Sequence, residues 1–447
     1  MEEWLILCTR HLTLPIVCSM MSPTITLNST PCNSVNKIEG MPLNPSLIYA
    51  KPRTTIQINE KEGIMWLSLS MRTLLIVCVC MTILYNSISA DCKKAAVSNA
   101  LIRDNNLAEE EEGEIYLVLI YQSRFLNNKI GVNNGMMGNN LPPAEEVASL
   151  MQQNNIGKLK IFNAEPVVLK AFANSGIEII VGITNDELQN ISSNQEAADK
   201  WVNDNILAYP VTNIKYICLG HKALKKAAFG SYVLPAMNNI QHAVEKANLQ
   251  DKIKVSATNG KGVIPFSFLP SKGAFSDSVK DKMRSFLQFL EDHGSPYMAN
   301  LYPYSAYLEN SNVSLDYALF NTTNPVVVDG DRKYTNLFDA MVDTIYSAME
   351  ALGFSNIPVM VTETGWPSYG TGENVNVATI ENAQTYNNNL IKHVLSNAGT
   401  PKRPGKSMEV LIFGLFNENM QEGDETERHF GLFYPNKTLV YPVNFSP

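Results

Sequence analysis

From residue 130 onward the apolar positions repeat in a regular rhythm. Short β-branched runs at residues 129–132, 158–161, 178–183, 214–219, 252–257, 297–301, 358–362 and 410–416 alternate with longer stretches of helical period. In residues 143–153, Val147, Leu150 and Met151 share one face. In residues 336–352, Leu337, Met341, Ile345 and Met349 form one stripe. Eight strand–helix alternations over about 320 residues predict parallel strands joined by right-handed crossovers, closed as an α/β (β/α)8 TIM barrel. An open doubly wound sheet is the alternative. It would be expected to carry a glycine-rich phosphate loop after its first strand, and Gly131-Val132-Asn133-Asn134-Gly135 is not that motif.

The pattern ahead of the barrel is different. Residues 1–70 are rich in Ser, Thr, Pro and Asn and show no sustained period. Residues 71–90 begin Met71-Arg72, continue with an apolar run from Thr73 to Leu84, and end in Ser87-Ile88-Ser89-Ala90, the layout of a secretory signal peptide. A signal anchor is the competing reading, although the run is short of the roughly 20 residues of a membrane span. Its internal position suggests that Met71 is the functional start or that residues 1–70 are a non-structural extension. Residues 91–129, with the acidic run Glu109 to Glu112, read as a linker. The barrel domain is therefore placed at residues 130–447.

Composition narrows the partners. The 447 residues are 45% hydrophobic and 17% charged, with a net charge of −8 and no basic stripe. That disfavours nucleic acid, whose binding rests on phosphate neutralisation, and leaves uncharged ligands such as sugars open. Six of the seven cysteines lie within the first 92 residues. Cys218, alone in the barrel region within Tyr216-Ile217-Cys218-Leu219, is expected in the core rather than as a reactive thiol. Five glycosylation sequons, at Asn190, Asn312, Asn321, Asn436 and Asn444, fit an exported protein.

In a (β/α)8 barrel, chemistry gathers at the C-terminal ends of the strands. After strand 7 comes Glu363-Thr364-Gly365-Trp366-Pro367, an acid beside an indole able to stack on a pyranose. After strand 8 stands Phe416-Asn417-Glu418-Asn419, and after strand 6 comes Asn300-Leu301-Tyr302-Pro303-Tyr304. Taken singly, the acids could be solvated loop residues and the tyrosines core packing; together they suggest a carbohydrate cleft.

These segments, with Ile130-Gly131-Val132, Tyr232-Val233-Leu234-Pro235-Ala236-Met237, Asn336 to Asp343 and the final Tyr441-Pro442-Val443-Asn444-Phe445, resemble plant endo-1,3-β-glucosidases of glycoside hydrolase family 17. The resemblance runs from Ile130 to Phe445. It implies a retaining mechanism with Glu363 as nucleophile and Glu418 as a supporting acid. Asn300, Tyr302, Tyr304 and Trp366 would form the floor and walls of a β-1,3-glucan site. No cofactor or metal is implied.

The pattern breaks where a retaining enzyme needs its second carboxyl, roughly 5 Å from the first. In the family that proton donor closes strand 4 in a Val-Gly-Asn-Glu segment. Here the strand ends Leu219-Gly220-His221-Lys222, so Lys222 stands at the proton-donor position and His221 at the amide's. A lysine ammonium, which ordinarily titrates at about 10.4, is a poor proton donor near neutral pH, and it is expected to pair with Glu363. An imidazole can in principle donate a proton, but the His221 side chain is not expected to point where the acid does. Asn134 replaces the family's Tyr after strand 1, Lys160 and Asn163 its Arg and Asp of strand 2, and Gln421 its Lys after the strand-8 acid. The expectation is a secreted protein of the apoplast or cell wall, less readily of the vacuole, monomeric and without stable membrane insertion. It acts on β-1,3-glucan with weak or lost hydrolysis, the alternative being a non-catalytic glucan-binding pseudoenzyme.

Overall fold

All eight apolar runs form strands. They are β1 Ile130–Asn133, β2 Lys158–Ile161, β3 Glu178–Ile183, β4 Ile214–Leu219, β5 Lys254–Asn259, β6 Tyr297–Asn300, β7 Val359–Thr364 and β8 Val410–Ile412. Each pairs in parallel with the next, and β8 pairs with β1 through Ile130–Val410, closing the barrel. The computed structural model describes residues 130–445 apart from Phe266 and Phe268. The expected signal segment and linker lie outside the described residues.

Five of the eight strands differ from expectation in their bounds: β1 and β6 by one position, β7 by running on to Thr364 so that Glu363 lies within it, and β5 and β8 by more. β5 begins at Lys254 rather than 252 and extends to Asn259. β8 stops at Ile412 instead of continuing to Phe416. Beyond Ile412 the chain leaves the ladder, because Gly414 N donates to Phe430 O and Leu415 N to Asn133 O, tying the segment to loop backbone and the tip of β1.

The helices form as their apolar faces require. Ala144–Gln153 buries Val147, Leu150 and Met151. Leu337–Ala351, N-capped by Asn336 through the amide of Asp339, buries Leu337, Ile345 and Met349 and leaves Met341 half-buried. Inside the barrel, Ile180, Cys218, Met298, Met360 and Leu411 make a small apolar plug. Cys218 is accordingly core, and burial raises its thiol pKa. Polar groups flank this plug. At one side Lys158 pairs with Glu178 and, at 3.2 Å, with Glu409; at the other side lies the site described next. No helix among the described residues is long and apolar enough to cross a membrane. The five sequon asparagines are all exposed.

Candidate active site

Glu363 lies near the C-terminal end of β7, opposite Asn300 of β6. Ala299 pairs with Val361 and Asn300 with Glu363, so Thr362 is an extra residue in the ladder. A bulge of this kind re-aims the side chains that follow it. Thr362 is fixed in turn, its hydroxyl donating to Asn300 Oδ1 at 2.9 Å and its carbonyl accepting from Asn133 Nδ2 at 3.0 Å.

The Glu363 carboxylate is 2% exposed. Lys160 Nζ lies 2.7 Å from its Oε1, and the Tyr302 hydroxyl donates to Oε2 at 3.3 Å. His221 Nδ1 is 3.4 Å from Oε1 but lacks the alignment of a hydrogen bond. Burial alone would raise the pKa of this acid. The Lys160 ammonium, with His221 and then Lys222 adding to it, outweighs burial and holds the carboxyl far below its usual range. The expected partner was Lys222, and this is corrected: Lys160, inward-facing on β2 and itself buried, takes the ion pair.

Lys222 and His221 leave β4 through a turn in which Gly220 and Lys222 both have positive φ, 66° and 52°. The turn is pinned from both sides. His221 N donates to Asn185 Oδ1 at 2.9 Å, and Thr258 Oγ1 donates to Gly220 O at 3.1 Å. The Lys222 stem crosses Gly260, where an added Cβ would lie 3.3 Å from its Cγ and Cδ. Its Nζ sits 5.9 Å from the centre of the Tyr302 ring. His221 and Lys222, in the turn after β4, thus both reach the surroundings of Glu363, contrary to the expectation that His221 would point away.

Glu418, beyond β8, is also buried and accepts from Met137 N at 2.8 Å. Burial raises its pKa against that single donor. Gly135 makes the approach possible, since a Cβ there would fall 2.1 Å from Glu418 Oε1. Asn134 is buried beside it, its backbone N donating to Lys160 O at 2.9 Å. Two aromatic assignments need correction. Trp366 is 0% exposed, donates through Nε1 to Val377 O, and packs on Tyr304, Tyr307 and Tyr386, so it offers no face to a sugar. Tyr304 is buried against Trp366 and Phe430, leaving Tyr302 as the ring at the cleft.

Glu427 escaped the sequence reading. It lies in the charge-dense stretch 422–429, which has no periodicity to single out one acid. Its carboxyl is raised by partial burial, lowered by Lys222, and raised again by Asp424 and Glu363, which places it within electrostatic reach of the site. Buried polar atoms without partners mark the same end of the barrel: Asn133 Oδ1, His221 Nδ1, Asn300 Nδ2 and the Tyr304 hydroxyl. Such groups suit a hydroxyl-rich ligand. A cavity of about 1110 Å³ opens here, with Asn259, Asn300, Tyr302 and Lys222 on its wall.

Comparison with known proteins agrees with this geometry. The sequence pattern described as Glycosyl hydrolases family 17 matches residues 130–445. The chain is 43% identical over 322 residues to a glucan endo-1,3-beta-glucosidase of Vitis vinifera, covering 71% of this chain and 92% of that protein. It is 42% identical over 337 residues to glucan endo-1,3-beta-glucosidase 13 of Arabidopsis thaliana, covering 74% of this chain and 67% of that one. Among solved structures, a β-1,3-glucanase and pollen allergen of Cryptomeria japonica superposes with a TM-score of 0.69 at 60% identity, covering 71% of this chain and 99% of that chain. A closed parallel barrel with Glu363 near the end of β7, a family pattern that matches residues 130–445, and relatives that match 71% and 74% of the chain identify it as a member of glycosyl hydrolase family 17.

Proposed function

We propose that this protein is a secreted β-1,3-glucan-acting member of its family that keeps the nucleophile, Glu363, and has lost its proton donor, with Lys222 in that donor's place. The observation that carries the reading is the charge set at the barrel mouth: Glu363 is ionised and ion-paired to Lys160, while the chain beyond β4 brings His221 and Lys222, not a second carboxyl, to it. A carboxylate in that state can attack an anomeric carbon. It cannot protonate the oxygen that departs, and an ammonium has little tendency to do so near neutral pH. Turnover of natural glucan is therefore expected to fall by about 10²–10⁴-fold relative to acid-bearing relatives.

The two half-reactions can be separated. With an aryl laminari-oligosaccharide bearing a nitrophenolate-type leaving group, a Glu363 oxygen forms the bond to the anomeric carbon. The aryl–oxygen pair departs as phenolate without needing a proton. The glycosyl ester then persists for want of a base to activate water. Mass spectrometry should find the sugar on the peptide containing Glu363 and find none in Glu363→Gln. Azide needs no general base, displaces the carboxylate, and should release the β-glycosyl azide. Rapid laminarin hydrolysis at about 10 s⁻¹ would sink the proposal. Binding of laminarin without adduct or turnover would leave the second reading, a glucan-binding pseudoenzyme, which the ion-paired state of Glu363 favours.

A further inference from the structure

The cavity beside Tyr302 reverses the charge of the molecule around it. Its wall carries Lys222, Lys225, Lys226 and Lys261, in a chain whose net charge is −8. Among the described residues the wall holds one carboxylate, Glu309, and Lys261 already pairs with it. Lys222, Lys225 and Lys226 are exposed and take part in no ion pair among the described residues. Two of these stems lie along the loop that follows β5. Lys222 covers Gly260, and a Cβ at Gly262 would lie 2.8 Å from Lys225 Cδ. The remaining wall supplies apolar surface from Val263, Ile264, Val313 and Met341, with amides from Asn259 and Asn300.

We propose that this cavity binds an acidic saccharide, a β-linked glucan-type chain carrying carboxylates, in preference to a neutral one. The inference rests on the glucan reading for the backbone of the ligand and departs from it in charge. Three ammonium groups without an ion pair among the described residues lie beside one cavity, of which only Lys222 also feels Glu363 and Glu427, and a carboxylate placed among them relieves their mutual repulsion whereas a hydroxyl does not. Lysine is a mobile point charge with three donors, suited to carboxylates whose position varies along a flexible chain. The Tyr302 ring and the two amides supply what a pyranose needs, and the lysines supply what distinguishes an acid from an alcohol. A cavity lined by one sign of charge also gathers oppositely charged ligands from solution, an effect that salt suppresses.

The test is calorimetric titration of the full chain with laminarihexaose and with the same oligosaccharide oxidised to carboxylates at C6. The acid form should bind at least about tenfold tighter at roughly 0.02 M ionic strength, and the gap should close to about twofold at 0.5 M as the screening length shortens. The double variant Lys225→Ser/Lys226→Ser changes only exposed side chains, should melt with the parent, and should lose most of the preference. Binding of the acid form without detectable binding of the neutral one would support the charge inference and overturn the neutral-glucan reading. Equal affinity for both would overturn the inference and leave the glucan reading standing. Binding of neither overturns both, and a preference unaffected by salt or by the double variant overturns the role given to the lysines.

Discussion

Lys160 and Glu363 are each almost wholly withdrawn from water, with side chains 3% and 2% exposed. Such a pair gains little over an apolar replacement, but breaking it strands a buried charge, at about 3–5 kcal/mol. Lys160→Met should therefore destabilise by that order in denaturant titration, and Lys160→Met/Glu363→Leu should recover most of the loss. The pH sign follows from the depressed carboxyl. Its stabilisation is fully present above the unfolded value of about 4.3 and is lost only as pH falls through the much lower native value, so mild acid should spare it. In Lys160→Met burial raises the carboxyl's native value toward or past the unfolded one, so this contribution should disappear and stability should fall less than in the parent as pH drops below about 4. Lys222 is the position for the catalytic counterpart. Lys222→Glu places a carboxyl in the turn after β4 and, on the proposed reading, should raise laminarin turnover by up to about 10²-fold, held below that of acid-bearing relatives while Lys160 pairs with Glu363. A rate unchanged from the parent would mean that the turn through Gly220 and Lys222 no longer presents position 222 to the glycosidic oxygen.

Among the elements, one acid ties helix Leu337–Ala351 to two antiparallel hairpins, one of Val327–Asp329 with Arg332–Tyr334 and one of Gly399–Thr400 with Arg403–Pro404. Asp343, 0% exposed, accepts from the Tyr334 hydroxyl at 2.9 Å, from Lys402 N at 2.8 Å and from the Thr400 hydroxyl. Burial outweighs these three donors and pushes its pKa up to about 6. Because the native value lies above the unfolded one, this group's contribution is present below about pH 3.9 and is lost as pH rises through about 6, a change on the order of 3 kcal/mol. His393, whose pKa is raised against burial by Asp339, also loses stabilisation as pH rises, so the comparison must be with a variant. Asp343→Asn should be less stable overall at pH 5, yet its stability should fall less between pH 4 and 7. The apolar periods of this helix and of the strands are legible in the sequence because packing on a barrel demands them at fixed spacing. The bulge at Thr362 is not, since an extra residue leaves the local run of apolar and polar positions unchanged. For the same reason Trp366, adjacent in sequence to the acid, reads as a sugar platform although its ring is folded away against Tyr304 and Tyr386. Lys160 is visible only as a departure from a family pattern, because its partner is 203 positions away and is brought to it by barrel closure alone.

At the scale of the whole molecule, closure decides what can be removed. β1 contributes Ile130, Gly131 and Val132 to the pairing with β8 and Gly131, Val132 and Asn133 to the pairing with β2. Ile130 and Val132 are both fully buried, and Leu415 N donates to the carbonyl of Asn133. Without this strand, β2 and β8 would each expose a row of unpaired backbone groups, and the plug between them would be open to water. The barrel strands and the helices between them all follow Ile130 in the chain. A chain beginning at Lys129 should therefore fold as a monomer and melt cooperatively, within a degree or two of one beginning at Asp91. A chain beginning at Gly135 should not, since losing two buried β-branched side chains together with both ladders exceeds the roughly 5–15 kcal/mol by which domains are stable. Circular dichroism melts and size-exclusion chromatography of the three chains measure this directly. If the chain from Lys129 aggregates while the chain from Asp91 is monomeric, residues 91–128 belong to the folded unit and the boundary at Ile130 is misplaced.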